Sequence, residues 1–187
     1  MSSTLRLKEL GDMNLRAKKP RKAAVVSLFY PDSSFNTRLL LILRKTYEGI
    51  HSNQVGFPGG KIEKGDTTLS FTALRETHEE VGIHPQKINL IRPLTEIYIP
   101  PSNFMVQPFL GIMNETPLFI PQESEVEEII EVSITNILDD NAVVTEIVNT
   151  SYGIKIDVPV YKLNDYTVWG ATAMILSEVK ELCKRAQ

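Results

Sequence analysis

The stretch RETHEE, residues 75–80, places one arginine and three glutamates within six positions. At about 100° of rotation per residue, Glu76, Glu79 and Glu80 fall within an arc of roughly 100° on an α-helix, so they share one face. Like charges at these spacings weaken an exposed helix by roughly a few tenths of a kcal/mol per pair. A divalent metal bound between the carboxylates would remove that repulsion. The alternative is an ordinary solvated face of a surface helix, which needs no metal.

The residues around this stretch predict an amphipathic helix from about residue 68 to residue 81. Phe71, Leu74, His78 and Val81 cluster on the side opposite the glutamates and form a predicted core stripe. The pattern therefore predicts that the acidic side chains project away from the core.

The loop upstream of this helix, QVGFPGGKIEKGD, is rich in glycine. Gly59 and Gly60 follow a proline, and Gly65 precedes Asp66, which we expect to cap the helix. Adjacent glycines let the backbone approach a ligand closely. Carboxylates together with backbone oxygens suit Mg²⁺ or Mn²⁺, because these hard cations take oxygen ligands and are often shared with substrate phosphates.

Length and composition indicate a single domain over residues 1–187, with residues 1–18 as an N-terminal extension. The hydrophobic content of 42% suits a buried core, and the net charge of −3 gives no overall attraction to nucleic acid. The lone Cys183 cannot form an internal disulfide, and the sequence has neither an apolar signal segment nor the roughly 18 apolar residues of a membrane span. We expect a cytoplasmic protein without nucleic-acid or membrane partners, and a homodimer stays open.

Apolar runs bounded by turn residues predict mostly strands with two principal helices. The strands are expected at residues 23–30, 38–45, 88–99, 105–113, 127–134, 142–149 and 153–163. A second principal helix is expected at 168–184, with a helical turn at 135–140 and a short helix near 4–12. This order predicts a mixed central sheet flanked by helices, in the α/β (α+β) class.

The region from Gly60 to Ile83 resembles the Nudix box, whose pattern is G, five residues, E, seven residues and then REUxEExGU, with U an aliphatic residue. The matching residues are Arg75, Glu76, Glu79, Glu80, Gly82 and Ile83. The sequence departs from the pattern at Asp66, which replaces glutamate and is separated from Arg75 by eight residues instead of seven, and at Thr77, which replaces an aliphatic residue.

The resemblance implies hydrolysis of a nucleoside diphosphate linked to another moiety, on an α/β/α sandwich, with Mg²⁺ or Mn²⁺ as cofactor. Glu76, Glu79 and Glu80 match the metal-binding positions of the family. The carbonyl of Gly59 or Gly60 matches the backbone ligand. Arg75 is expected to orient the glutamates without contacting the metal.

The residues that precede the box indicate a subfamily. LLILRKTYEGIHSNQVGFPGG resembles the segment that precedes the box in coenzyme A pyrophosphatases, LLTxRS followed by GxxxFPGG. Leu40, Leu41, Arg44 and residues 57–60 match, whereas Ile42, Lys45, Gly49 and Asn53 do not. YTVWGATAMIL also resembles the WGxTAxIL helix start of that subfamily.

The resemblance implies a small-molecule substrate, coenzyme A or a derivative, cut to 4'-phosphopantetheine and 3',5'-ADP. Two alternatives stay open. One is a Nudix pyrophosphohydrolase that acts on ADP-ribose, NADH or dinucleoside polyphosphates, and the other is a nucleotide-sensing module without turnover.

Basic residues are expected to meet the phosphates of the substrate, because arginine pairs with phosphate in bidentate fashion. Arg44 is the main candidate, together with Arg21 and its neighbours Lys19 and Lys22, and Gly60 is expected at the substrate. For the three N-terminal residues, a solvated basic collar is the alternative.

The general base is expected among the box glutamates, Glu79 or Glu80, or at Glu125 in the loop of residues 121–128. Ordinary loop charge is the alternative for Glu125. We expect His51 and His78 to be structural, because neither has a partner at a spacing for nucleophilic catalysis. Trp169 and Tyr166 are expected to pack the last helix against the sheet, with stacking on adenine as the alternative.

Overall fold

The structure is a computed structural model that describes residues 19–45, 54–149 and 155–186. The helix expected near residues 4–12, the extension 1–18 and the positions of Gly49, His51 and Asn53 lie outside the described residues. The described residues form three α-helices: α1 (Leu69–Val81), α2 (Ile134–Leu138) and α3 (Gly170–Arg185). The strands are β1 (Arg21–Pro31), β2 (Thr37–Arg44), β3 (Val55–Gly56), β4 (Gly59–Lys61), β5 (Asn89–Pro93), β6 (Ile97–Ile99), β7 (Phe104–Ile112), β8 (Val126–Ser133), β9 (Val143–Asn149), β10 (Lys155–Leu163) and β11 (Tyr166–Val168).

Strands β1 and β2 are apolar along their length because both faces of the central sheet are covered. In β2, Leu40 and Ile42 face one core, and Leu39 and Leu41 face the other. Helix α1 packs in the first core, whereas α2, α3 and the small sheet of β9, β10 and β11 contribute to the second. This arrangement confirms the predicted α/β/α sandwich with a mixed central sheet.

The eight-stranded central sheet splits between β1 and β2. Strand β7 runs parallel to β1 along its length, whereas β2 pairs antiparallel with β1 only at residues 29–31. Strand β4 pairs with residues 23–25 of β1, and β3 pairs with the last residues of β2. The chain from β3 to β4 therefore fills the split and brings Gly59 and Gly60 beneath helix α1.

Helix α1 turns a different face to the core from the one that the sequence predicts. Its buried residues are Thr72, Ala73, Thr77, Glu80 and Val81. The predicted core stripe is wrong at Phe71, which is 48% exposed, and at His78, which is exposed. The prediction that the acidic side chains project away from the core is wrong at Glu80, which is buried because Arg44 and the Gly59 N–H compensate for the burial of its carboxylate. Thr77, at the aliphatic position of the box, donates its hydroxyl to the Ala73 carbonyl at 2.7 Å and so fits the core.

The helix is capped by Thr68 instead of Asp66. The Thr68 hydroxyl accepts from the Phe71 N–H at 3.1 Å, as an N-cap side chain does. The predicted cap at Asp66 is wrong because its carboxylate is held by Arg75 and Thr72. At the other end, Gly82 adopts φ +77°, a left-handed conformation that suits a helix C-terminus.

The remaining elements follow the predicted order with local differences. The strand expected at 88–99 is broken into β5 and β6, and Leu94 is buried between them. Strand β11 was not predicted, and it shortens the last helix, which begins at Gly170 instead of residue 168. Among the residues that the structure describes, no helix combines the length and the apolar character that crossing a membrane requires.

Because β2 is buried on both faces, truncating one of its apolar side chains should strongly destabilise the fold. Leu41→Ala removes a side chain that is 0% exposed, so we expect the free energy of unfolding to fall by about 2 to 5 kcal/mol. Leu118→Ala changes a side chain that is 83% exposed and should shift the free energy of unfolding by less than about 0.5 kcal/mol. Urea titration followed by the fluorescence of the single tryptophan, Trp169, measures both, and equal effects of the two substitutions would contradict the assignment of this core.

Candidate active site

The innermost acidic residue of the site is Glu80, whose side chain is 1% exposed. One carboxylate oxygen, Oε2, accepts from the Gly59 N–H at 2.7 Å, and the other, Oε1, accepts from Arg44 Nη1 at 2.9 Å. Arg44 Nη2 also donates to the Gly59 carbonyl at 2.8 Å, which closes a ring of three bonds. The ring joins helix α1 to the last residue of β2 and the first residue of β4.

Burial raises the pKa of Glu80 to about 7. The charge of Arg44 and the hydrogen bond from Gly59 act in the opposite direction, and the negative charges of Glu76 and Glu125 raise the pKa further. A buried carboxylate with acidic neighbours gains from any additional positive charge. The site therefore has the electrostatic character that a cation would relieve.

Arg75 binds three further acidic residues of the site, of which only Glu79 is exposed. Its Nη2 donates to Glu76 Oε1 and its Nη1 to Glu79 Oε2, both at 2.9 Å. Nε and Nη2 also donate to the two carboxylate oxygens of Asp66 at 3.0 Å, and this contact holds the pKa of the Asp66 carboxyl well below its usual range. Arg75 thus bonds to two box glutamates, and its role in orienting them for a metal stays a prediction.

The carboxylate of Glu76 lies directly against the backbone of Gly60. A Cβ atom built at Gly60 would be 2.3 Å from Glu76 Oε2, so only glycine leaves room for the carboxylate in this position. At Gly59 a Cβ atom would be 2.3 Å from the Ala24 carbonyl oxygen, and the residue adopts φ +142°. The double glycine therefore serves steric needs of the site that the sequence alone does not define.

The donor set fits a hard divalent cation. Glu76 and Glu80 supply carboxylates whose pKa values are raised chiefly by burial, and Gly59 supplies a backbone oxygen nearby. Glu79 is 56% exposed and is held by Arg75. Within the ranges that the structure describes, no three histidine, cysteine, aspartate or glutamate side chains already converge as a metal site. The metal-binding roles of Glu76, Glu79, Glu80 and Gly59 stay predictions.

Glu125 lies in an exposed turn that is tied to the end of helix α1. The Gln122 N–H donates to the Glu80 carbonyl at 2.9 Å, and the Ile120 N–H donates to the Val81 carbonyl at 2.9 Å. Through this attachment the charge of Glu125 is close enough to raise the pKa of both Glu76 and Glu80. The loop thus brings Glu125 to the acidic residues, and its role as a base stays a prediction.

The two arginines expected at the substrate are in different surroundings. Arg44 lies at the site but is bonded to Glu80 and Gly59. Arg21 Nη2 donates to the Ser102 carbonyl at 2.9 Å, and its guanidinium lies 4.1 Å from the centre of the Phe104 ring. These contacts hold Arg21 at the beginning of β1, and a phosphate-binding role for it stays a prediction, as it does for Lys19 and Lys22.

Comparison with known proteins identifies the family. A family model described as NUDIX domain matches residues 18–146, which is more than half of the chain. The chain belongs to the Nudix family. The predicted membership, made from the box alone, is confirmed.

Known Nudix proteins resemble most of this chain. Nudix hydrolase 15, mitochondrial, from Arabidopsis thaliana is 31% identical over 164 residues, which cover 84% of this chain and 57% of that protein. Peroxisomal coenzyme A diphosphatase ndx-8 from Caenorhabditis elegans is 26% identical over 172 residues, which cover 91% of this chain and 72% of that protein. The crystal structure of a Nudix hydrolase from M. smegmatis, RenU, shares the fold with a TM-score of 0.62 at 15% identity, and the match covers 90% of this chain and 88% of that one.

The chain spans only 57% and 54% of the lengths of the first two Arabidopsis relatives that it matches. Two of the relatives are named as a mitochondrial and a peroxisomal protein. The cytoplasmic location expected for this Nudix protein therefore stays a prediction, as does the homodimer.

A pocket of about 240 Å³ lies on the other side of β2 and β3 from the Nudix helix, where β11 meets the start of α3. Its lining residues are Leu43, Gln54, Val55, Asp165, Tyr166, Thr167 and Trp169. Tyr166 also packs against the second core, as expected, and donates its hydroxyl to Glu128. Sequence reasoning missed the pocket because β11, which supplies Tyr166 and Thr167, was not predicted.

The contact between Gly60 and Glu76 predicts a selective effect of one methyl group. In Gly60→Ala the new Cβ displaces the Glu76 carboxylate, a flexible end group, so we expect binding of Mn²⁺ to weaken by roughly tenfold while the fold is kept. Gly56→Ala is the matched control, because its Cβ would come no closer than 3.9 Å to other atoms. Titration calorimetry measures the metal affinity, and equal affinities of the two variants would contradict the proposed steric role.

The raised pKa of Glu80 predicts a pH dependence of stability. Because Glu80 ionises at lower pH in the unfolded chain, its contribution to the free energy of unfolding falls as pH rises from about 4.5 to about 7. In the presence of chelator, the free energy of unfolding of the wild-type chain should fall across that window by on the order of 2 kcal/mol relative to that of Glu80→Gln. Urea unfolding at several pH values measures the difference, and parallel pH profiles of the two proteins would refute it.

Proposed function

We propose that this protein is a metal-dependent Nudix pyrophosphohydrolase, and that coenzyme A or a derivative is its substrate. The observation that carries the hydrolase is the ordered acidic site, in which Arg75 and Arg44 hold the three box glutamates next to Gly59 and Gly60. In the reaction, water attacks one phosphorus atom of the diphosphate and the bond from that phosphorus to the bridging oxygen breaks. Coenzyme A would give 4'-phosphopantetheine and 3',5'-ADP.

The residues of the site have different roles in this reaction. A bound divalent metal would neutralise the charge that develops on the phosphate oxygens. Glu76, Glu79, Glu80 and the Gly59 carbonyl would hold it, with Arg75 keeping two of these carboxylates in place. Positioning and electrostatics supply most of the rate in phosphoryl chemistry, so the rigidity of this network supports the proposal.

Two groups are candidates for accepting the proton of the attacking water. Glu80 has a pKa raised to about 7, which lies near the range that a general base needs at neutral pH, but its oxygens are both hydrogen-bonded. Glu125 is exposed, and its negative charge raises the pKa of both Glu76 and Glu80, which places it close to the same acidic residues. We assign the base to Glu125 and metal binding to Glu80.

Support for coenzyme A as the substrate comes from sequence motifs and from a named relative. Leu40, Leu41, Arg44 and the run FPGG match the motif of coenzyme A pyrophosphatases, and the peroxisomal relative with 26% identity is named a coenzyme A diphosphatase. The pocket beside Trp169 is smaller than the roughly 300 to 1,000 Å³ of a complete ligand site, so it would hold one portion of the substrate. ADP-ribose, NADH and dinucleoside polyphosphates are the competing substrates.

A substrate panel with matched variants tests the proposal. The purified protein with Mg²⁺ is incubated with coenzyme A, ADP-ribose, NADH and diadenosine tetraphosphate, and the products are separated chromatographically. We expect coenzyme A to be cleaved best, and Glu79→Gln and Glu80→Gln to lower kcat by at least about 100-fold, since each removes a charged ligand group.

Glu115→Gln is the control for these substitutions, because Glu115 forms an exposed ion pair with Lys87 at 2.7 Å far along the chain from the box. It should keep the wild-type rate. Preferential cleavage of ADP-ribose would replace the substrate but keep the reaction. Nucleotide binding without any metal-dependent cleavage would instead establish the sensing module.

A further inference from the structure

Arg44 donates hydrogen bonds to two of the groups that are predicted to bind the metal. Its two terminal nitrogens donate to Glu80 Oε1 at 2.9 Å and to the Gly59 carbonyl oxygen at 2.8 Å. The second oxygen of Glu80 is already used by the Gly59 N–H. A metal ion that takes both Glu80 Oε1 and the Gly59 oxygen would therefore compete with the guanidinium for the same two acceptors.

The two partners of this contact differ in their freedom to move. Glu80 is 1% exposed and lies within the first core, whereas the side chain of Arg44 is 23% exposed. Arg44 ends strand β2 beside Gly56, where a Cβ atom would be 3.9 Å from Arg44 Nε. At that distance a methyl group would make only an ordinary van der Waals contact, so the greater exposure of Arg44 is what lets it turn away while Glu80 stays in place.

We propose that Arg44 is a displaceable counter-ion, which a divalent metal replaces at Glu80 and Gly59, and whose released guanidinium then binds the diphosphate of the substrate. This inference rests on the proposed metal-dependent function. It adds an order of binding, in which the metal binds before the diphosphate. The chemistry suits the exchange, because a guanidinium pairs in bidentate fashion with carboxylates and phosphates alike.

The exchange has two consequences of opposite sign. Removal of Arg44 removes a competitor of the metal, so metal affinity must rise. It also removes a phosphate-binding group, so affinity for a diphosphate in the presence of metal must fall. A residue that only supported the fold would weaken both kinds of binding when replaced.

Arg44→Met tests these consequences, because methionine fills part of the same space without charge. Calorimetric titration with Mn²⁺ at pH 8 should give a Kd about tenfold lower than that of the wild type, the equivalent of one lost charge-assisted hydrogen bond. Titration with ADP, a unit that all candidate substrates contain, in saturating Mn²⁺ should give a Kd about tenfold higher.

Two further variants make the result interpretable. Arg38→Met changes an arginine on the same strand that pairs with Asp32 at 2.8 Å, and it should leave both affinities at the wild-type values. Arg44→Lys keeps the charge but lacks the fork that reaches Glu80 and Gly59 together, so its Mn²⁺ affinity should lie between those of the wild type and Arg44→Met. If Arg44→Met does not fold, the lysine variant decides.

The outcomes separate this inference from the function on which it rests. Tighter Mn²⁺ binding with weaker ADP binding supports the exchange. If the wild type binds Mn²⁺ but the Arg44 variants bind it equally or less tightly, the exchange is overturned and the metal-dependent function stands. If the wild type binds no Mn²⁺, both are overturned.

Discussion

The buried carboxylate of Glu80 is the group on which the arrangement of the site depends. Placing a charged carboxylate where its side chain is 1% exposed is costly unless charge and hydrogen bonds compensate for it. Arg44 and the Gly59 N–H supply that compensation from two different strands. The same bonds that stabilise the carboxylate therefore also fix helix α1 over the split in the sheet and hold the glycine loop against it.

The acidic residues form two groups, each held by one arginine. Arg44 binds Glu80, and Arg75 binds Glu76, Glu79 and Asp66. Four carboxylates face two guanidinium groups in this network, which leaves an excess of negative charge when all are ionised. Such an excess next to a backbone oxygen suits a divalent cation and the phosphate groups that it attracts.

Much of the fold could be predicted because its signals are local. The apolar runs of β1, β2, β7 and β8 and the spacing of the box define those elements without reference to the rest of the chain. The orientation of α1 could not be predicted, because a helical wheel assigns glutamates to solvent, whereas the partner that permits burial, Arg44, lies 36 residues away in sequence. The pocket near Trp169 could not be predicted either, because it depends on the short β11 and on residues that are far apart in the sequence.

The central claim is that Glu76, Glu80 and the Gly59 carbonyl form a divalent-cation site. Crystals of the protein grown with Mn²⁺, with data collected at the manganese absorption edge, test it most directly. The account predicts an anomalous peak bonded to oxygens of these three residues, at the ordinary distances of a metal with oxygen ligands. An ordered protein with a fully occupied Mn²⁺ ion elsewhere, and with the carboxylates of Glu76 and Glu80 still bonded only to arginine and backbone, would contradict it.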